Sequence, residues 1–114
     1  MWSINRSVLV VRPRQPYLDW VHSLDEEGKK FTLEDLKQDS TSYLLRPLED
    51  EDHKDEILAD VYEEIFEHEL WGWMQDPAVW PRKRDLATFE AWFELEFCSV
   101  TMDLVGKPIE LEED

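Results

Sequence analysis

Cysteine is nearly absent from this chain of 114 residues, where Cys98 stands alone. No intrachain disulfide is open to it, which excludes a small secreted scaffold held by bridges, and no CxxC pair exists to begin a zinc or redox site. Cys98 itself falls among Phe97, Val100 and Met102, where a cysteine serves as a small buried hydrophobe. Glycine is scarce as well, with three residues, and none stands in a GxGxxG, P-loop or GxSxG arrangement. His22, His53 and His68 lack HExxH spacing. The reading is therefore of no metal ligand set, no cofactor and no complete catalytic motif.

Long apolar runs are missing too. The early stretch Val8-Leu9-Val10-Val11 is too short for a signal-peptide core or a membrane span and runs into Arg12. A reducing cytoplasm is the expected location. Positive charge is the other deficit, with 12 basic against 28 acidic residues and a formal net charge of -16. Such a molecule repels nucleic-acid phosphates and anionic membrane surfaces, so neither direct nucleic-acid binding nor membrane association is expected. A basic protein surface, or a second copy of the chain, is the expected partner.

What the chain does contain is apolar material for a core: 42% hydrophobic and 12% aromatic residues, with six tryptophans. Its length suits a single domain over residues 1–114, with a short N-terminal tail and an acidic C-terminal tail from Glu110 to Asp114. Ser7 to Arg12 reads as a central strand buried on both faces and stopped by Pro13. Pro16, Tyr17, Leu18, Val21 and Leu24 open a first helix that reaches Leu24, broken by Gly28-Lys29-Lys30. Thr32 and Asp35 have capping-box spacing for a short helix to Gln38. Ser42 to Arg46 reads as an edge strand ended by Pro47.

The strongest periodicity follows. Ile57, Leu58, Val61, Tyr62, Ile65 and Phe66 form one stripe of an amphipathic helix over residues 54–70, with Glu49 to Asp52 upstream of its positive end and Gly72 as a stop. Asp76 caps a turn begun by Pro77, and Asp85 caps a helix to Trp92. Alternation from Glu94 to Leu104 predicts a last strand with one buried face. The fold class is α+β, a small three-stranded sheet covered mainly on one side by helices.

The run from Glu49 to Asp55 fails as a calcium loop: starting at Asp50, Lys54 takes a ligand position and Val61 stands where the bidentate glutamate belongs. On the long helix, Glu56, Asp60, Glu63 and Glu67 lie three or four residues apart opposite the apolar stripe. They read either as a solubilising face of one sign or as a docking face for a basic partner. Trp71, Trp73 and Trp80 cluster beyond that helix, as satellite core or as interface anchors. Glu69 falls inside the apolar stripe with His68 at its edge. A carboxylate there finds a partner or protonates, unless the helix frays and releases it to solvent. Trp80-Pro81-Arg82-Lys83-Arg84 is the one basic cluster, a solvated loop, a phosphate grip, or a partner for the acids of the long helix.

The stretches RSVLVVRPRQPYLDWV, SYLLRP, EEIFEHELWGW and WPRKRDLATFEAWFELEFCSVTMDL resemble a group of short, acidic bacterial proteins of uncharacterised function. The resemblance spans nearly the whole chain and implies a bacterial, stand-alone domain without implying an activity. From the residues, the first expectation is a non-enzymatic acidic interaction or regulatory module using Glu56, Asp60, Glu63, Glu67, Trp71, Trp73 and Trp80. The alternative is a small-molecule site or enzyme around His68 and Glu69, with Arg12 or Arg82 anchoring an anion.

Overall fold

Alternation along Ser7–Pro13 (β2) places Ser7, Leu9, Val11 and Pro13 on one buried face, and this strand forms the centre of the molecule. The computed structural model describes residues 1–113; Asp114, the last acid of the C-terminal tail, lies outside the described residues. The elements follow in the order β1 (Trp2–Ile4), β2, α1 (Gln15–Leu24), α2 (Leu33–Lys37), β3 (Thr41–Leu45), α3 (His53–Trp71), α4 (Leu86–Trp92), β4 (Phe93–Cys98) and β5 (Thr101–Asp103). Single 3₁₀ turns lie at Gly28–Lys30 and Pro77–Val79. The architecture is α+β. One sheet has the antiparallel order β3-β2-β4, and β1 pairs with β5 in a separate two-stranded ribbon.

The helices cover one face of the three-stranded sheet. Leu9, Val11 and Phe93 from the sheet join Tyr17, Val21, Ile57, Ile65, Phe66, Leu70 and Phe89 in one core. Phe66 meets Phe89 and Phe93 with ring centroids 5.6 Å apart in each pair, and Tyr17 lies 5.1 Å from Phe93. Such aromatic pairs add to the area they bury.

Among the described residues, no helix contributes a core contact to the opposite face. It carries half-buried Val8, Val10 and Cys98, exposed Leu44, and an Arg12–Glu96 ion pair of 2.8 Å. The four aliphatic residues at 8–11 thus do not mark a strand buried on both faces: Leu9 and Val11 are sealed, while Val8 and Val10 are only half covered. Apolar character on the second face is tolerated because partial burial still removes area from water.

Local signals determine most boundaries. Thr32 Oγ1 accepts from the Asp35 N–H while the Asp35 carboxylate accepts from the Thr32 N–H, a complete capping box. Asp76 and Asp85 cap the elements that follow them. Gly28 is buried against α1, where an added Cβ would sit 2.3 Å from the Val21 carbonyl oxygen; that close approach requires glycine. Two expectations change. The N-terminal tail is strand β1, and the single strand expected over 94–104 is two, β4 and β5, separated at Ser99-Val100 and belonging to different sheets. Trp2, Val100, Met102, Leu104 and Val105 are exposed on and around the ribbon.

Candidate functional site

The last two turns of α3 carry acids on both sides of the helix. Ile65, Phe66 and Leu70 anchor this end in the core, with Phe66 and Leu70 fully buried. The final carbonyls of a helix lack intrahelical partners and need others. Here His68 O accepts from the Gly72 N–H, Leu70 O from the Trp73 and Met74 N–H groups, and Trp71 O from the Gln75 side-chain amide. Glu69 O accepts from the Tyr17 hydroxyl at 2.6 Å. The helix is therefore held through Trp71, and Glu69 is not released by fraying. Gly72 ends it in a right-handed conformation (φ -59°), without a left-handed cap.

Glu69 points inward, and its side chain keeps 14% of its exposure. Its Oε2 accepts from the Tyr43 hydroxyl at 3.0 Å and from Thr41 Oγ1 at 3.3 Å, both on β3. The Tyr43 hydroxyl also lies 2.8 Å from His68 Nδ1, and the His68 ring stands edge-on to Tyr43 at 5.7 Å. A phenol has one proton and cannot donate to both. Either Tyr43 donates to an ionised Glu69 and accepts from Nδ1–H, or a protonated Glu69 donates to Tyr43, which donates to Nδ1. Glu69, Tyr43 and His68 thus form a hydrogen-bonded chain whose proton positions are coupled.

Burial pushes the Glu69 carboxyl above the ordinary glutamate value, opposed by the Tyr43 hydrogen bond, the neighbouring His68 and the Thr41 hydroxyl. Tyr43 and Tyr17 are both raised, first by burial and then by the Glu69 carboxylate. Beside Glu69 opens a cleft of about 390 Å³ walled by Pro13, Tyr17, Leu36, Asp39, Ser40, Thr41, Gly72 and Trp73. Trp73 is half-buried and packs edge-on against Phe31 at 5.0 Å.

The outward side of the same two turns is different. Glu64, Glu67, His68, Trp71 and Trp80 line an open concavity of about 310 Å³. Trp71 is 51% exposed. Trp80 is fixed by its Nε1–H donating to Met74 O at 2.8 Å, and the Arg84 guanidinium stands 5.7 Å from its ring centroid. Glu67 also borders a second concavity with Glu63, Arg82 and Arg84.

The acids expected to share one stripe are thus divided. Asp60 pairs with Arg46 at 2.8 Å, and Glu56 lies with it near His53 at the other end of the helix. Glu63 and Glu67 line one concavity together with Arg82 and Arg84, so the surface around the acids is not of one sign. Arg12 is tied to Glu96 on the uncovered sheet face and Arg82 lines the second concavity with Glu63, Glu67 and Arg84, so neither borders the Glu69 cleft. Trp73 belongs to that cleft, whereas Trp71 and Trp80 belong to the outward concavity. Glu64, Thr41, Tyr43 and Tyr17 were not expected from the sequence to be site residues. Tyr43 and Thr41 lie on alternate positions of β3, but period two does not say that they face a carboxylate.

Among the described residues, no group of three or more His, Cys, Asp or Glu side chains is placed to hold a metal ion, and no helix is long and apolar enough to cross a membrane. Comparisons with known protein families, curated proteins and solved structures find no match.

Proposed function

We propose that this chain is a non-enzymatic interaction module that docks a basic protein surface through the outward side of α3's C-terminal end. The observation that carries the reading is the convergence of Glu64 and Glu67 with Trp71 and Trp80 around one open concavity. Carboxylates beside indole rings suit a lysine or arginine side chain, which gains from ion pairing and from lying over an aromatic face. Each of these contributions is about 0.5–1 kcal/mol at an exposed site. One anchor alone therefore binds weakly, and the net charge of -16 supplies the rest by drawing a basic partner to the surface. The same charge opposes self-association through this side of the molecule.

The test is a tryptophan-fluorescence titration with an arginine-rich peptide at low and at physiological salt. Binding is expected to weaken several-fold in Trp71→Ala and in Glu67→Gln and to fall as salt screens the attraction. A control variant with Glu110 and Glu112 both changed to Gln, in the C-terminal segment, is expected to retain most of the affinity. A loss in the Glu110 and Glu112 control as large as that in Glu67→Gln, with no loss in Trp71→Ala, would reduce the effect to bulk charge and overturn the assignment of the concavity.

A further inference from the structure

The inward side of the same helix end carries a second and chemically different opportunity. Both side-chain hydrogen bonds to the Glu69 carboxylate, from Tyr43 and Thr41, go to Oε2. Oε1 accepts none from the described residues, although no fully buried side-chain oxygen or nitrogen among them lacks a partner. Oε1 is therefore accessible, and Glu69 borders the 390 Å³ cleft. Across the cleft stand apolar Pro13 and Leu36, the indole of Trp73 and a second carboxylate on Asp39. Among the described residues, no lysine or arginine side chain lines the cleft to neutralise either acid.

We propose that this cleft binds an organic cation, a primary ammonium group on a short apolar body. The ammonium donates to Glu69 Oε1, with Asp39 adding attraction at the rim, and the apolar body lies against Leu36, Pro13 and Trp73. Three features of the cleft select this class. An anion meets two carboxylates and, among the described residues, no lysine or arginine side chain to offset them. A neutral apolar molecule leaves a half-buried carboxylate desolvated with no new partner, which costs free energy. A hydrated metal ion lacks a third converging carboxylate, imidazole or thiolate among the described residues. A primary ammonium satisfies the free oxygen and places its carbon chain on the apolar wall, the usual composition of a small-ligand site.

The ligand also changes the proton balance. Burial favours the neutral form of Glu69, and an ammonium against Oε1 favours the ionised one, so binding from the protonated protein releases a proton. The groups facing Glu69 are Tyr43 with Thr41 on β3, Tyr17 on α1, Asp39 on the segment after α2, and His68 on its own helix. Of these, Tyr17 and Tyr43 stay neutral across the accessible range because burial raises both. Affinity for the ammonium is therefore expected to rise as pH is raised through the Glu69 titration.

The experiment uses the full chain, with benzylammonium as the probe and benzyl alcohol and benzoate as isosteric controls, followed by two-dimensional amide NMR. Benzylammonium is expected to shift amides at Thr41, Glu69, Gly72 and Trp73 in a saturable way, and the two controls are not. Glu69→Gln, which keeps an acceptor oxygen for Tyr43 and Thr41 but cannot ionise, is expected to weaken binding at least about tenfold. Trp73→Leu, which leaves the carboxylate in place, is expected to weaken it less. Undiminished binding by Glu69→Gln, or saturable binding of benzyl alcohol equal to that of benzylammonium, would overturn the proposal. So would shifts spread over Glu63, Glu64 and Glu67 that vanish with salt. Trp71→Ala, which tests the outward concavity, is expected to leave benzylammonium binding unchanged, so the two sites fail or succeed separately.

Discussion

Glu67 and Glu69 leave α3 about 200° apart, two steps of a helix that turns about 100° per residue. Glu67 stands in water between the Trp71–Trp80 concavity and the arginines at 82 and 84. Glu69 is largely buried, engaged by Tyr43 and Thr41, and made a weaker acid by burial. The same side chain type on the same helix end is exposed to solvent on one side and largely buried and hydrogen-bonded on the other. The difference comes from the neighbours that β3 and α1 bring against the helix, and not from the helix itself.

The largest way to break that contrast is to remove what holds the helix end in place. Phe66 is fully buried and packs on Phe89, Trp92 and Phe93. Phe66→Ala is expected to cost about 3–5 kcal/mol, a large part of the roughly 5–15 kcal/mol that stabilises an ordinary domain. Denaturant unfolding measures the loss, and both sides of the helix end are expected to lose their binding together.

A smaller change separates the two sides. Tyr43→Phe removes the 3.0 Å donor to Glu69 and leaves Thr41 as the remaining side-chain donor. The expected cost is about 1–3 kcal/mol, because a half-buried acceptor is left short of a partner. Since the Tyr43 hydrogen bond is the largest influence holding the Glu69 pKa down, the variant is expected to raise it further. Equilibrium unfolding and a side-chain pH titration check the two parts. Outward binding at Trp71 is expected to persist.

The smallest expected effect is one of pH. The folded-state pKa of Glu69 lies above its unfolded value, so the folded chain holds this proton more tightly. The stabilising contribution of protonation is fully present below the ordinary glutamate value and is lost as pH rises through the raised one. Glu69→Gln cannot ionise. Its stability is expected to match the native chain most closely in acid and to gain on it toward neutral pH, as followed by thermal unfolding across a pH series. A native chain that gains on Glu69→Gln with rising pH would reverse the sign. A more stable variant that binds ammonium less well would also fit the general tension between stability and function.

Much of this contrast was legible in the residues alone. The step of Ile57, Val61, Ile65 and Phe66 defines α3, and the same geometry turns Glu69 inward. Thr32 with Asp35, and Asp76 and Asp85, announced the starts of local elements because a cap is read within four residues. The α+β class and the central position of residues 7–12 followed from the order of these elements. What was not legible is what crosses the fold. Tyr43 and Thr41 meet Glu69 from 26 and 28 residues away, and Arg46 reaches Asp60 from the bend just after β3. The ribbon pairs Trp2–Ile4 with Thr101–Asp103, strands too short to carry a period and separated by nearly the whole chain. Alternation across 94–104 showed extended backbone but not the switch at Ser99-Val100 between two sheets.

The inward–outward contrast is tested most directly by following the Glu69 side-chain carboxyl by carbon-13 NMR across pH. A titration midpoint above the glutamate reference of 4.5 is predicted, moving down when benzylammonium is bound. A midpoint at or below that reference in the free protein would contradict the enclosure of Glu69.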